Sequence, residues 1–351
     1  MNWKRKSNWK ELAVATAALA AVVLASSGMF GARVASAAAG KGLDIEIAYE
    51  IKALKIAGAT SPLYVQVDGG KLIFSDASGA VMSAPMGGGT ATTLAKVANP
   101  EGVAIAPAGF GSYAGQVFVS SGADDKTACE VMRIGGNAAT SFAKLPDAGK
   151  LNGGKATECK DLEFGSAGTP FAGKLYAVAN GNATIYEIDA SGKAKAFATF
   201  DGSPSFEISN LSFTGASDPK APNSMLVGMR PHMEIAAKVG RINVFGPDGK
   251  QKSEYLLGFI NPTGWGYAPA GFGTYGGNLF VADAGKAAAK NGADRDGQVY
   301  RVDNKGVTRP FATGLVDPNC LRITASGMVI ADPSEQGKPG KGSIVVISSM
   351  L

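Results

Sequence analysis

Short stretches of alternating apolar and polar residues, separated by glycine-rich turns, repeat along most of this chain. The clearest stretch is five residues long and mostly apolar, and it occurs six times, as LIFSD (72–76), VFVSS (117–121), LYAVA (175–179), MLVGM (225–229), LFVAD (279–283) and MVIAD (328–332). Short strands of even length between turn residues predict an all-β closed array. The repeat length of about 51 residues is typical of a propeller blade.

Each repeat divides into four strands, except the last, which stops after its third strand. The alternating segment Leu43–Leu54 precedes the first repeat and can supply the missing strand. Such an exchange closes the ring and removes an exposed sheet edge. The sequence therefore predicts a six-bladed β-propeller over residues 43–351, closed by an N-terminal strand. Phe110 and Phe272, in its two APAGFG connections, are expected to pack between strands.

The N-terminus has the pattern of an export signal. A basic segment, Lys4–Lys10, precedes an uncharged apolar run, and Ala35-Ser36-Ala37 has the small residues of a cleavage site. We expect a signal peptide over residues 1–37, a short linker over 38–42, and export to the periplasm or the cell exterior. The alternative is an uncleaved anchor, because the apolar run is long enough to span a bilayer. After cleavage, no membrane association is expected.

Removal of the leader leaves 29 basic and 28 acidic residues, so no basic surface for nucleic acid is predicted. The cysteines are Cys129, Cys159 and Cys320, and His232 is the single histidine, which argues against a zinc site. In an exported protein two of the three cysteines are expected to form a disulfide. We predict Cys129–Cys159, since both lie on the same face of adjacent blades, and a buried free thiol at Cys320.

The starts of the six inner strands align at a position that carries a side-chain oxygen in every blade but the first, where Pro62 stands. In a propeller these positions converge on the mouth of the central channel. Carboxylate, hydroxyl and amide oxygens without nitrogen or sulfur ligands suit Ca²⁺ or another divalent cation. The alternative is a solvated polar mouth, in which the same groups bond to backbone and water. The five predicted metal ligands are Glu101, Asp161, Asn210, Thr263 and Asn319.

The motif LFVADAG, the pair Glu101-Gly102 and an asparagine at a later strand start resemble the regucalcin/gluconolactonase family, with its paraoxonase and strictosidine-synthase-like relatives. The resemblance covers residues 43–351. It implies a six-bladed propeller whose channel Glu and Asn, here Glu101 and Asn210, bind a divalent metal for hydrolysis of lactones or esters. The family's catalytic aspartate is replaced by Asn319, so Asp161 is the carboxylate left in the ring to act as base. Asp317 is close in sequence.

These patterns support three functions. The first is an exported Ca²⁺-dependent hydrolase of a small lactone or ester, in which the metal polarises the carbonyl and Asp161 activates water. His232 is a second catalytic candidate, although a lone histidine is more often a surface residue. The second function is a non-catalytic binding propeller of the cell envelope. The third is a quinone-dependent sugar dehydrogenase, for which His232 is the available catalytic histidine.

Overall fold

The computed structural model describes residues 49–122, 128–147, 156–200, 206–231, 240–285, 297–303, 305–333 and 342–349. Within them, six four-stranded antiparallel sheets form the blades of a β-propeller, which confirms the predicted fold class. The predicted signal peptide and linker lie outside the described residues. Across the described ranges, no helix has the length and apolar character needed to cross a membrane.

The first three blades each run from an inner strand at the channel to an outer strand at the rim, in chain order. Blade one is β3 (Pro62–Asp68), β4 (Lys71–Asp76), β5 (Ala80–Pro85) and β7 (Thr92–Lys96). Blade two is β8 (Pro100–Ile105), β9 (Val117–Ser121), β10 (Glu130–Gly135) and β11 (Ala138–Lys144). Blade three is β12 (Cys159–Phe164), β13 (Leu175–Ala179), β14 (Thr184–Ile188) and β15 (Ala194–Thr199).

Blades four and five repeat this order, and a short parallel pair, β2 (Ile56–Ala57) with β6 (Gly89–Thr90), lies outside the blades. Blade four is β16 (Phe206–Phe213), β17 (Met225–Pro231), β18 (Gly240–Phe245) and β19 (Gln251–Phe259). Blade five is β20 (Pro262–Tyr267), β21 (Leu279–Asp283), β22 (Gly297–Val302) and β23 (Thr308–Leu315). Blade six is β24 (Cys320–Thr324), β25 (Gly327–Asp332), β26 (Ser343–Ser349) and, from the other end of the chain, β1 (Tyr49–Leu54).

Blade six closes the ring as the sequence predicted. Strand β1 pairs antiparallel with β26, with Tyr49 opposite Ser349 and Leu54 opposite Ile344. Leu54 and Ile344 are buried, so the pairing adds apolar contact to the backbone ladder. The remainder of the predicted strand, residues 43–48, lies outside the described residues.

Aromatic side chains from the APAGFG connections fill the space between strands and blades. Phe110 is fully buried, with its ring centroid 4.8 Å from that of Phe164 in blade three and 5.8 Å from that of Phe118. In blade five, Phe272 lies 5.5 Å from Phe280 and 5.6 Å from Tyr49 of the closing strand. Both connections therefore serve packing, as the sequence indicated.

Removal of the closing strand should destabilise the whole ring. A chain that begins at Lys55 leaves β26 as an exposed edge with apolar residues, and such edges pair with other molecules. We expect a lower melting temperature and concentration-dependent association, measured by calorimetry and light scattering. A chain that begins at Tyr49 is the control and should behave as the full chain without its leader. Equal melting temperatures for the two truncated chains would contradict this role of β1.

Candidate functional site at the channel mouth

Cross-strand pairing defines equivalent levels in the six inner strands. In every blade the pairing places one inner-strand residue opposite the third residue of the recurring five-residue stretch, namely Val65, Val103, Leu162, Leu211, Trp265 and Leu321. In blades one to five a register shift precedes this residue, which is the mark of a β-bulge. Two residues earlier is the level at the channel mouth, called here the mouth level: Leu63, Glu101, Lys160, Ser209, Thr263 and Asn319.

The mouth level differs by one residue from the sequence alignment in blades one, three and four. Glu101, Thr263 and Asn319 stand at this level, whereas Asp161 and Asn210 lie one residue further along their strands. At the level of Asp161, blades two and five have glycine. A Cβ on Gly102 would come within 2.4 Å of the Leu162 nitrogen, so side chains here point at the next inner strand. The five predicted ligands are therefore divided between two levels.

A cavity of about 240 Å³ opens at the mouth. Every residue of the mouth level except Thr263 lines it. The other lining residues come from strand ends and loops of the same face: Tyr64, Arg230, Asp317 and Pro333. We call this space the mouth cavity.

Charges of both signs line the mouth cavity. Lys160 Nζ lies 3.9 Å from Glu101 Oε1. Arg230 donates from Nε and Nη2 to Glu207 Oε2, at 2.8 and 2.7 Å. Asp317 lines the same space, and its backbone N–H donates to Asp332 Oδ1 at 2.7 Å. Two cations and two carboxylates thus share one small, partly enclosed volume.

Burial governs the protonation of these groups. It raises the pKa of the Glu101 carboxyl, and Lys160 and Arg230 offset part of the rise. Burial also raises the pKa of Asp317, against the opposing effect of Arg230 and then Lys160. The pKa of Tyr64 is well above its usual value because of burial, with Asp161 and Glu101 adding to the effect. Tyr64 therefore keeps its proton and can donate a hydrogen bond.

Polar side chains of the mouth level join neighbouring blades. Ser209 Oγ donates to the Pro262 carbonyl at 2.8 Å, and Asn319 Nδ2 donates to the Leu63 carbonyl at 3.0 Å. Thr263 Oγ1 donates to the Pro318 carbonyl. Each bond runs from one inner strand to the next, so these groups hold the ring together at the mouth.

Asp161 and Asn210 lie buried between blades three and four. Asp161 Oδ2 accepts the Leu211 N–H at 2.8 Å. Within the described residues, Asp161 Oδ1 and both amide atoms of Asn210 make no hydrogen bond of standard length and angle, although the Asn210 side chain lies close enough to Asp161 to lower its pKa. Burial raises the pKa of Asp161, and Arg322 opposes the rise. Asp161 does not line the mouth cavity, where the sequence placed a catalytic base.

The donor set at the mouth does not fit a divalent cation. Ca²⁺ takes six to eight oxygen ligands. Glu101 already faces the Lys160 ammonium, and Arg230 lines the same cavity, so a dication there would meet two positive charges. Asp161 and Asn210 offer too few oxygens alone. Across the described ranges, no group of three or more His, Cys, Asp or Glu side chains could hold a metal.

The residue before the mouth level is fixed in every blade. It is proline in four of them, Pro62, Pro100, Pro262 and Pro318, and proline locks its own φ. Blade four has Ile208, whose N–H donates to Asn180 Oδ1 at 2.9 Å. Blade three has Cys159, which forms the predicted disulfide with Cys129 at a Cα–Cα distance of 5.3 Å. Cys320 is free and buried, as expected.

An ion pair spans the channel further along the inner strands. Arg322 Nη2 in blade six donates to Glu163 Oε2 in blade three at 2.7 Å, and Gln66 Nε2 in blade one lies 3.4 Å from the same oxygen. Blades three and six are opposite each other in a six-bladed ring. Burial raises the pKa of Glu163 to about 7, although Arg322 opposes the rise. The pair was not predicted, because its two residues are 159 positions apart.

Four residues of the site were not predicted from the sequence as site residues. Lys160, Tyr64 and Arg230 were not singled out, and Asp317 was noted only as close in sequence to Asn319. Aligning the four prolines would have found the mouth level in blades one, two, five and six. The catalytic candidate His232 lies outside the described residues.

Comparison with known proteins supports the fold. No family model matches the chain, and no curated protein matches it. Three solved structures each match 86% of the chain. A putative glucose dehydrogenase of Thermus thermophilus is 12% identical with a TM-score of 0.57 over 100% of its chain, and a PQQ-bound aldose sugar dehydrogenase of Streptomyces coelicolor is 15% identical with a TM-score of 0.55 over 98% of its chain. An inactive virginiamycin B lyase of Staphylococcus aureus with quinupristin is 13% identical with a TM-score of 0.52 over 100% of its chain. At these identities the likeness establishes a six-bladed propeller. The regucalcin-like family is not specifically confirmed.

Stability should fall as the pH rises through neutrality, because of Glu163. Its pKa is about 7 in the folded protein against 4.5 for the free side chain, so the folded state holds the proton more firmly. This contribution is full below about pH 4.5 and is lost as the pH rises through about 7. Glu101, Asp161 and Asp317 have the same sign. We expect a falling melting temperature between about pH 5 and 8.

Glu163→Gln should flatten that profile, because glutamine does not titrate. The matched control is Glu254→Gln, which removes a carboxylate paired with Arg241 on the outer strand of blade four and should keep the wild-type slope. A wild-type slope in Glu163→Gln would show that other groups carry the pH dependence.

Proposed function

We propose that this chain is an exported propeller that hydrolyses a small lactone or ester in the mouth cavity, with side-chain cations in place of a metal. The observation that carries the proposal is the convergence of Asp317, Lys160 and Arg230 on one partly enclosed cavity. A half-buried carboxylate with a raised pKa that shares a cavity with two cations is an arrangement that occurs at catalytic sites.

Asp317 supplies the general base. The pKa of the Asp317 carboxyl is raised towards neutral pH. A general base is most effective when its pKa lies near the pH at which it works. The carboxylate takes a proton from water as the water oxygen bonds to the carbonyl carbon, and the carbonyl π electrons move to oxygen. Lys160 and Arg230 stabilise that oxyanion. The ester C–O bond then breaks, the protonated Asp317 returns its proton to the leaving alkoxide, and an acid and an alcohol result.

Glu101 positions Lys160 in this scheme. The 3.9 Å approach of the two charged groups holds the ammonium over the cavity, and Lys160 in turn opposes the rise in the pKa of Glu101. Tyr64 adds a hydrogen-bond donor on the cavity wall. The balanced charge of the lining favours an uncharged substrate over a strongly anionic or cationic one.

Export is part of the proposal. The disulfide between Cys129 and Cys159 fits an oxidising compartment, because disulfides persist outside the cytosol. The leader expected at residues 1–37 would deliver the chain there.

A non-catalytic binding propeller is the second candidate. It is favoured by the bonds of Ser209, Thr263 and Asn319 to neighbouring inner strands, since polar groups that the fold uses in this way take no part in catalysis. A quinone-dependent dehydrogenase is the third candidate, because sugar dehydrogenases are among the solved structures with this fold. Its catalytic histidine would have to be His232. Addition of quinone and an aldose to the assay tests that third function directly.

Hydrolysis of a lactone and aryl-ester panel by the mature protein tests the proposal. Asp317→Asn should lower kcat by about 10²–10⁴, the range for loss of a general base. Lys160→Met should lower kcat by about 10²–10³, the range for loss of an oxyanion donor. The control Lys252→Met removes an exposed lysine paired with Asp248 in blade four and should leave kcat unchanged.

Chelator separates this mechanism from calcium-dependent catalysis. Because protein cations replace the metal, activity and melting temperature should not change in excess chelator. Loss of activity in chelator, restored by Ca²⁺, would return the site to the metal-dependent mechanism. Absence of hydrolysis with retained ligand binding would favour the binding propeller.

A further inference from the structure

The two bulge residues of blade three, Lys160 and Asp161, receive little support from the backbone ladder. Cross-strand pairing joins Cys159 to Ala179 and then Leu162 to Ala177, so neither residue between them is paired. Side-chain hydrogen bonds hold them in part, since Ser120 Oγ donates to the Lys160 carbonyl at 2.7 Å and Asp161 Oδ2 accepts the Leu211 N–H. The neighbours in the chain restrain them as well: Leu162, which is held in the ladder and buried, on one side, and Cys159 on the other.

Cys159 has the place that proline has in four other blades. Proline fixes φ by its ring whatever the surroundings. Cys159 has no such intrinsic restraint. It is held by its ladder pairing with Ala179, by its disulfide to Cys129 and by its N–H, which donates to the Gly122 carbonyl at 2.5 Å. Among the described blades, only blade three has a disulfide at the residue before the mouth level. That bond forms on oxidation and breaks on reduction.

The charge next to this anchor belongs to the mouth cavity. Lys160 directly follows Cys159 in the chain, lines the cavity and approaches Glu101 to 3.9 Å. Among the groups that oppose the rise in the pKa of Glu101, Lys160 has the largest effect. A displacement of Lys160 would therefore change both the shape of the cavity and the protonation of its carboxylate.

We propose that the Cys129–Cys159 disulfide regulates the mouth cavity, so that the site is assembled only in the oxidised protein. The role of the site rests on the function proposed above. The two thiols lose two protons and two electrons to a disulfide oxidant, which leaves as a dithiol while the Cys129–Cys159 bond forms. A dithiol reductant reverses the exchange. Before export, the reduced chain lacks the disulfide restraint next to Lys160 and has an inactive site.

The first measurement is independent of any substrate. In Cys129→Ala/Cys159→Ala the pKa of Glu101, followed by NMR titration, should rise above the wild-type value, and Lys160→Met should produce the same rise. Ile188→Ala is the matched control, since Ile188 is fully buried in blade three but does not line the cavity. It costs stability and should leave the pKa of Glu101 unchanged. A wild-type pKa in the folded double variant would overturn the proposal.

The second measurement uses the best substrate of the panel. The double variant should lose at least tenfold in kcat/KM, and Ile188→Ala should not. Wild-type protein reduced with dithiothreitol, with its cysteines unchanged, should behave as the double variant and recover on reoxidation. If both disulfide-free forms unfold, the bond holds the whole fold and not the mouth, and the proposal fails. If the wild type hydrolyses nothing, the proposed function fails, while the titration still decides the role of the disulfide.

Discussion

Hydrogen bonds between neighbouring inner strands hold the mouth of this propeller in shape. The blades are separate sheets, so no backbone ladder joins one inner strand to the next. Ser209, Thr263 and Asn319 make that connection by donating to carbonyls of the following blade. Each such bond contributes about 0.5–1.5 kcal/mol net. Their larger effect is geometric, because they fix the spacing of the inner strands of blades four, five, six and one at the mouth.

The sequence predicted the fold well because its strongest signals are local. The six stretches such as LFVAD all became second strands, and the missing strand of blade six could be found by counting. The residues at the mouth level were harder to predict, because a β-bulge adds a residue without any local signal. Alignment on side-chain oxygens placed Asp161 and Asn210 at this level, whereas the cross-strand register places Lys160 and Ser209 there. Cys159 and Ile208 replace the proline in those two blades and conceal the equivalence.

The mouth carries side-chain cations that the metal centre predicted from the strand starts did not include. Side-chain oxygens alone do not identify a metal site, since the same atoms can bond the next strand or face an internal cation. Here Lys160 stands beside Glu101 and Arg322 beside Glu163. Neither pairing is visible in sequence, because each partner comes from a different blade. Long-range ion pairs of this kind depend on the ring and appear only when the blades are placed.

The closing pair of strands has a consequence for how the chain folds. Tyr49 lies near the start of the described chain and Ser349 near its end, yet they are partners in one ladder. A contact between residues so far apart in sequence must overcome the entropy of a very long loop, and such contacts slow folding. During synthesis β1 emerges long before β26 exists. Five blades can therefore form while the sixth is incomplete, and in that interval β1 has no partner strand and is exposed to misassembly.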